Sequence, residues 1–141
     1  MATKILTNVK VREAREEDIP AMASLIAPYV EQGTVLGRTL DEFDELLPSF
    51  FVAELDGRVV GCVVLEIYSP KLAEIRSLAV ADDLRGAGVG RMLVNACLER
   101  ARERKILEVM AITSSDEFFI KCGFDYTLPG AKRALFIQTR E

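Results

Sequence analysis

The chain has 141 residues, 50% of them hydrophobic and 28% charged, with a formal net charge of −4; these totals fit a single globular domain over 1–141 that buries one core without staples. The acidic balance and the lack of a Lys/Arg block speak against a nucleic-acid partner, and no apolar run reaches the ~18 residues of a membrane span. There is no histidine, which excludes Ser–His and Cys–His nucleophiles and His-ligated metals; the cysteines Cys62, Cys97 and Cys122 form no C-x-x-C pair, so no metal is expected, and with no secretory signal they fit the core of a cytoplasmic protein.

In chain order, Val9 to Arg12 alternates apolar and polar residues and predicts an edge strand. "REEDIPAMASLIAPYVEQG" predicts a helix: acids suit its start, Pro20 its first turn, and Gly33 its end. Pro28 is expected to kink or shorten it. Thr39 and Glu42 form a capping-box pattern that opens a short helix, "LDEFDELL", stopped by Pro48. Asp56-Gly57 is a hairpin signal between two β-rich runs, and "KLAEIRSLAV" is a further strand. Val89, Met92, Leu93, Ala96, Cys97, Arg100 and Ala101 recur at helical spacing, with the Arg100 stem laid along the core edge. "ILEVMAIT" predicts a strand and "SSDEFFIKCGF" a short helix capped by Gly123. "FDYTLP" and "ALFIQTR" predict two terminal strands. The order β-α-α-β-β-β-α-β-α-β-β implies a mixed α/β (α+β) domain.

Between the fourth strand and the third helix stands "LRGAGVGR". A Walker A loop needs a Lys-Ser/Thr pair that is absent here, and G-x-G-x-x-G fails at Arg91. What remains is Arg85-x-x-Gly88-x-Gly90 before a helix. Small residues let backbone N–H groups converge on an anion, and the helix N-terminus adds a positive dipole end. Arg85 and Arg91 add charge, so the loop is read as a phosphate cradle; the alternative is a surface turn that merely needs glycines.

"AEIRSLAVADDLRGAGVGRMLV" resembles the central motif of the GNAT superfamily of acetyl-CoA-dependent N-acetyltransferases, and Phe119-x-x-x-Gly123-Phe124 resembles the ending of that family's last helix. The resemblance covers the whole chain. It implies a GNAT fold, with a mixed, mostly antiparallel sheet of about six to seven strands flanked by about four helices. It also implies acetyl-CoA as co-substrate. Arg85, Gly86, Ala87, Gly88, Val89, Gly90 and Arg91 would cradle its diphosphate, Leu78, Ala79 and Val80 would pair with the pantetheine and polarise the thioester carbonyl, and Thr113 would sit beside the passing arm.

An amine attacking a thioester needs to lose a proton, and the leaving thiolate needs to gain one. Glu74, four residues before Leu78, matches the strand glutamate that serves as base in such enzymes. A carboxylate near the sheet interior would have a raised pKa; the competing reading is an ion pair with Arg76 on the same strand face. The family often places a tyrosine acid where this chain has Phe119. Tyr126, Tyr68 or water is then left to protonate the thiolate, with Cys122 a further donor.

The segment from Glu31 to Cys62 is similar to the acetyltransferase domain of bacterial N-acetylglutamate synthases, through Glu31-Gln32-Gly33, Arg38-Thr39 and Gly61-Cys62. That resemblance implies a small amino-acid acceptor, L-glutamate, at the entry to arginine biosynthesis. Its carboxylates would be met by Arg38, Arg76 and Arg140, with Lys71 a further partner. Part of the family's basic clamp is absent: Gly37 precedes Arg38, and the last strand reads Gln138-Thr139-Arg140. No amino-acid-kinase-like domain is present in these residues. Two other readings stay open: an acetyltransferase for another small amine or a protein amino group, and a catalytically silent acyl-CoA-binding module. The apolar "ALFIQ" is expected to be able to pair across a homodimer.

Overall fold

The computed structural model describes residues 8–33, 35, 37–126 and 134–139. In chain order they form β1 (Val9–Glu13), α1 (Ile19–Glu31), α2 (Leu40–Leu46), β2 (Phe50–Leu55), β3 (Arg58–Ser69), β4 (Leu72–Val80), α3 (Val89–Glu103), β5 (Glu108–Met110) and α4 (Asp116–Lys121). The strands lie side by side as β1-β2-β3-β4-β5. The first three pairings are antiparallel and β4–β5 is parallel.

Local chemistry explains most of the element boundaries. The Thr39 hydroxyl accepts from the Glu42 N–H at 3.2 Å, and the Glu42 carboxylate accepts from the Thr39 N–H at 3.1 Å. Both groups would otherwise be orphan donors at the start of α2. Asp56 (φ 50°) and Gly57 (φ 80°) make the tight turn that joins β2 to β3, and Gly123 (φ 102°) follows α4 as a left-handed cap. Pro28 does not break α1, which runs on to Glu31. It stands in the last turn on the exposed side, where water satisfies the carbonyl that its missing N–H leaves unpaired.

Alternation along β2 from Phe50 to Ala53 and along β3 from Cys62 to Leu65 sends successive side chains to opposite faces. Phe50, Val52, Cys62 and Val64 meet Ile19, Met22 and Ile26 of α1 and Phe43 of α2. Phe51, Ala53, Val63 and Leu65 meet Val89, Leu93, Val94, Cys97 and Ala101 of α3 and Phe119 of α4. Met22, Phe50 and Leu93 are wholly excluded from solvent, each contributing about 1.5–3 kcal/mol by burial. Arg100 lies along the core edge as its spacing suggests: its guanidinium stacks 4.2 Å from the Phe51 ring centroid and pairs with Glu13. Cys62 and Cys97 are core residues whose thiols burial pushes up to about 12.

Close packing at Gly61 makes a stability prediction. A Cβ there would meet Leu93 Cδ1 at 2.9 Å, Val89 Cγ1 at 3.2 Å and the Ala79 carbonyl oxygen at 3.3 Å. Gly61→Ala should therefore lower stability by about 1–3 kcal/mol through overpacking, read as a lower urea midpoint at unchanged slope. An unchanged midpoint would mean that α3 does not seat on β3 this closely.

The sheet has five strands among the described residues, not six to seven. The expected strand "ILEVMAIT" is reduced to Glu108–Met110. The terminal strands are also revised: Phe124 to Tyr126 and residues 134–139 form no strand, while the rest of both segments lies outside the described residues. Leu135, Phe136 and Ile137 are 94%, 75% and 86% exposed. Apolar residues of this kind favour a strand locally, but a strand exists only where a neighbour completes its ladder, and 134–139 pairs with no strand among the described residues. No helix among the described residues is long and apolar enough to cross a membrane.

Candidate active site

The pairing of β4 with β5 stops early. Leu72, Ala73 and Glu74 face Glu108, Val109 and Met110 in register, and beyond Glu74 the two strands part. The edge of β4 from Ile75 to Val80 is thereby opened to a cavity of about 1010 Å³, large enough for an extended ligand. Glu74, Arg76, Ser77, Leu78, Ala79 and Val80 form one wall. Arg85, Gly86, Gly88, Val89, Gly90 and Arg91 close one end, and Thr113 with Phe118 lines the other side.

Inside this opening β4 carries a bulge. Cys62 faces Ala79 and Val64 faces Arg76, so Ser77 and Leu78 together oppose Val63. Ser77 takes φ 55°, a left-handed conformation that costs a non-glycine residue about 1–3 kcal/mol and that the surroundings must impose. They do so through two contacts: the Ser77 carbonyl accepts from the Cys62 thiol, and the Ser77 hydroxyl accepts from Arg38 Nε at 2.7 Å. A bulge interrupts the ladder, and Leu78 and Ala79 beside it line the cavity.

The glycine loop leaves several backbone N–H groups without helical partners. Gly86 (φ 78°) and Gly88 (φ 93°) adopt conformations that L side chains avoid. Gly88 is the N-cap of α3, so the N–H groups of Val89, Gly90 and Arg91 leave the helix without intrahelical partners. Two expected donors are not available: the Arg85 N–H goes to the Asp82 carbonyl at 3.3 Å and the Ala87 N–H to the Leu84 carbonyl at 3.2 Å. Those bonds form the turn that presents the remaining groups. Arg85 donates through Nη2 to the Tyr29 hydroxyl at 2.7 Å, and that hydroxyl donates to the Val80 carbonyl at 3.1 Å. The loop is thus tied to α1 and to the end of β4. A side chain at Gly90 would meet the Phe118 ring at 3.2 Å, which explains the small residue there.

Glu74 is buried, and its Oε1 accepts from the Tyr68 hydroxyl at 2.6 Å. Burial, reinforced by this carboxylate, pushes the Tyr68 phenol up to about 12, so it is a donor at neutral pH. Glu74 does not pair with Arg76, the alternative its spacing allowed; the Arg76 guanidinium reaches Glu66 at 3.1 Å. Arg38 reaches the same Glu66 oxygen at 2.9 Å. Tyr126 is not brought to this wall: it is 72% exposed and donates to Asp116 at the start of α4. A hydroxyl engaged there is not positioned beside Glu74, which is a correction to its reading as the acid. Lys71 lies exposed in the β3–β4 turn, Cys122 is half-buried after α4, and Arg140 is outside the described residues.

Three site residues escaped the sequence reading: Tyr29, Glu66 and Ser77. Glu66 had a signal in hindsight, a carboxylate in the otherwise apolar run "VVGCVVLEIY". Ser77 had none, because a serine at positive φ is a property of the bulge.

A splayed parallel strand pair, a bulged edge and a glycine-rich helix cap together define a protein that binds an extended, phosphate-bearing acyl donor. Residues 11–124 match the family described as "Acetyltransferase (GNAT) family". The chain belongs to that family; it is an acetyl-CoA-dependent N-acetyltransferase with the GNAT fold. It is 38% identical over 114 residues to an uncharacterized N-acetyltransferase of Chlorobaculum tepidum, covering 81% of this chain and 74% of that protein. It is 37% identical over 117 residues to the amino-acid acetyltransferase of Mycobacterium tuberculosis, covering 81% of this chain and 67% of that one. A solved N-acetylglutamate synthase from Neisseria gonorrhoeae, complexed with coenzyme A and N-acetyl-glutamate, superposes with TM-score 0.76 at 31% identity. That match covers 80% of this chain and 27% of the synthase.

Proposed function

We propose that this protein transfers the acetyl group of acetyl-CoA to the α-amino group of a small amino acid, L-glutamate, as in the first step of arginine biosynthesis. The observation that carries the reading is a buried carboxylate, Glu74, on the same cavity wall as the glycine loop, with the Arg76 guanidinium on the same strand face. The names of the amino-acid acetyltransferase and synthase relatives support the acceptor class.

Acetyl-CoA supplies an activated thioester. Gly86, Gly88, Val89, Gly90 and Arg91 suit its diphosphate, since their N–H groups and the dipole of α3 offer fixed positive ends. The bulge at Ser77 and Leu78 aims backbone N–H groups of β4 where charge develops on the carbonyl oxygen, a position of high value in a site shielded from water. Glu74 accepts the proton that the acceptor ammonium must lose, directly or through water. Tyr68 donates to Glu74 and so orients this base; the proton Glu74 has taken is then available, directly or through water, to the leaving thiolate. Arg38 and Arg76 form a cationic pair for the acceptor carboxylate.

The test is mass-spectrometric detection of product from acetyl-CoA with a panel of amino acids, polyamines and peptides. N-acetylglutamate as the favoured product is the expected result. Preference for a polyamine or a peptide would overturn the acceptor while leaving the coenzyme site intact.

A further inference from the structure

Glu66 stands directly across the strand pair from Glu74, on the same face of the sheet. Two carboxylates in that relation repel unless each is compensated. They are compensated differently. Among the described residues Glu74 receives only a neutral phenol, Tyr68. Glu66 receives two guanidinium groups, Arg38 at 2.9 Å and Arg76 at 3.1 Å, on one oxygen. The Arg38 side chain is 5% exposed and that of Glu66 13%, so this is an inner ion pair with little solvent screening. Arg76 is 29% exposed and lines the large cavity. Of the two arginines proposed for the acceptor carboxylate, Arg76 lines the cavity and Arg38 does not, and both are already bound to a carboxylate of the protein.

We propose that Glu66 determines acceptor specificity by charge: it stands in for a substrate carboxylate on Arg38 and Arg76 and limits how strongly the site prefers a doubly charged amino acid. This rests on the amino-acid acceptor proposed above. Glu66 and Glu74 formally balance Arg38 and Arg76, and the exposed Glu42 carboxylate also interacts with both arginines. An acceptor side chain that brings a further negative charge must share guanidinium groups with Glu66. Its uncharged amide isostere meets no such competition. Glu66 also holds the two cations together, so it positions the pair while damping its charge.

The experiment compares kcat/KM for L-glutamate and L-glutamine, which differ in one charge and little in shape. In Glu66→Gln the glutamate/glutamine ratio should rise about tenfold or more over wild type, because one charge-assisted competitor is gone. A purely structural loss would lower both substrates alike and leave the ratio fixed, and that result overturns the proposal. Should Glu66→Gln fail to fold with two uncompensated arginines, the comparison moves to Arg76→Gln against Arg76→Gln with Glu66→Gln. Removing Glu66 must again raise the ratio, and an equal ratio in the two proteins overturns the proposal. Wild type that acetylates neither amino acid overturns the acceptor reading itself, and this inference with it; turnover with an unmoved ratio overturns this inference alone.

Discussion

Replacing Glu74 by glutamine is expected to lower kcat by about 10²–10⁴-fold, the range for loss of a general base, while acetyl-CoA binding stays at the wild-type level. Glutamine keeps the shape and can still accept from the Tyr68 hydroxyl through its amide oxygen, so the bond now 2.6 Å long has a neutral substitute. What it loses is the ability to take a proton. The glycine loop proposed for the coenzyme lies before α3, at the far end of β4 from Glu74, and is not touched. Kinetics with saturating acetyl-CoA and a separate binding titration check the two halves of the statement. A normal kcat would show that the acceptor proton leaves to solvent and that Glu74 serves the sheet instead. Tyr68→Phe gives the companion measurement: a smaller loss in kcat is expected, since water can replace a half-exposed phenol as donor.

The features legible in the sequence are those whose cause is local. Thr39 with Glu42, Asp56-Gly57 and Gly123 each act within a few residues, and each forms the expected cap or turn. The apolar face of α3 was legible for the same reason, except that Val94, three and seven residues before Cys97 and Ala101, widens it and is also fully buried. The position of the glycine loop between β4 and α3 was legible, but not which of its N–H groups are available. That depends on turn bonds to Asp82 and Leu84. The harder part was everything set by register. Glu74 meets Tyr68 and not Arg76 because the β3–β4 pairing places Glu66 opposite Glu74, and Glu66 then captures both arginines. No spacing rule within β4 contains that information. The short β5 is of the same kind: its length is decided by where β4 and β5 part, not by the β propensity of "ILEVMAIT".

Gly88→Val should abolish acetyl-CoA binding, weakening it by about 10²-fold or more, because it removes at least one or two charge-assisted hydrogen bonds to the diphosphate. Gly88 holds φ 93° at the N-cap of α3. A β-branched residue is a severe misfit there, so the backbone must rearrange and the N–H groups of the first helical turn lose their common aim. Strain alone is a competing explanation, and Gly57 separates the two. It has a similar φ of 80°, open space where a Cβ would stand, and a place in the β2–β3 hairpin away from the cavity. Gly57→Val should lower thermal stability yet leave acetyl-CoA affinity unchanged. Isothermal titration of both variants with acetyl-CoA, beside their melting curves, makes the comparison. Loss of affinity in Gly88→Val alone locates the diphosphate on this loop. Equal loss in both would mean that affinity follows global stability, and retention in both would mean that the diphosphate is held elsewhere.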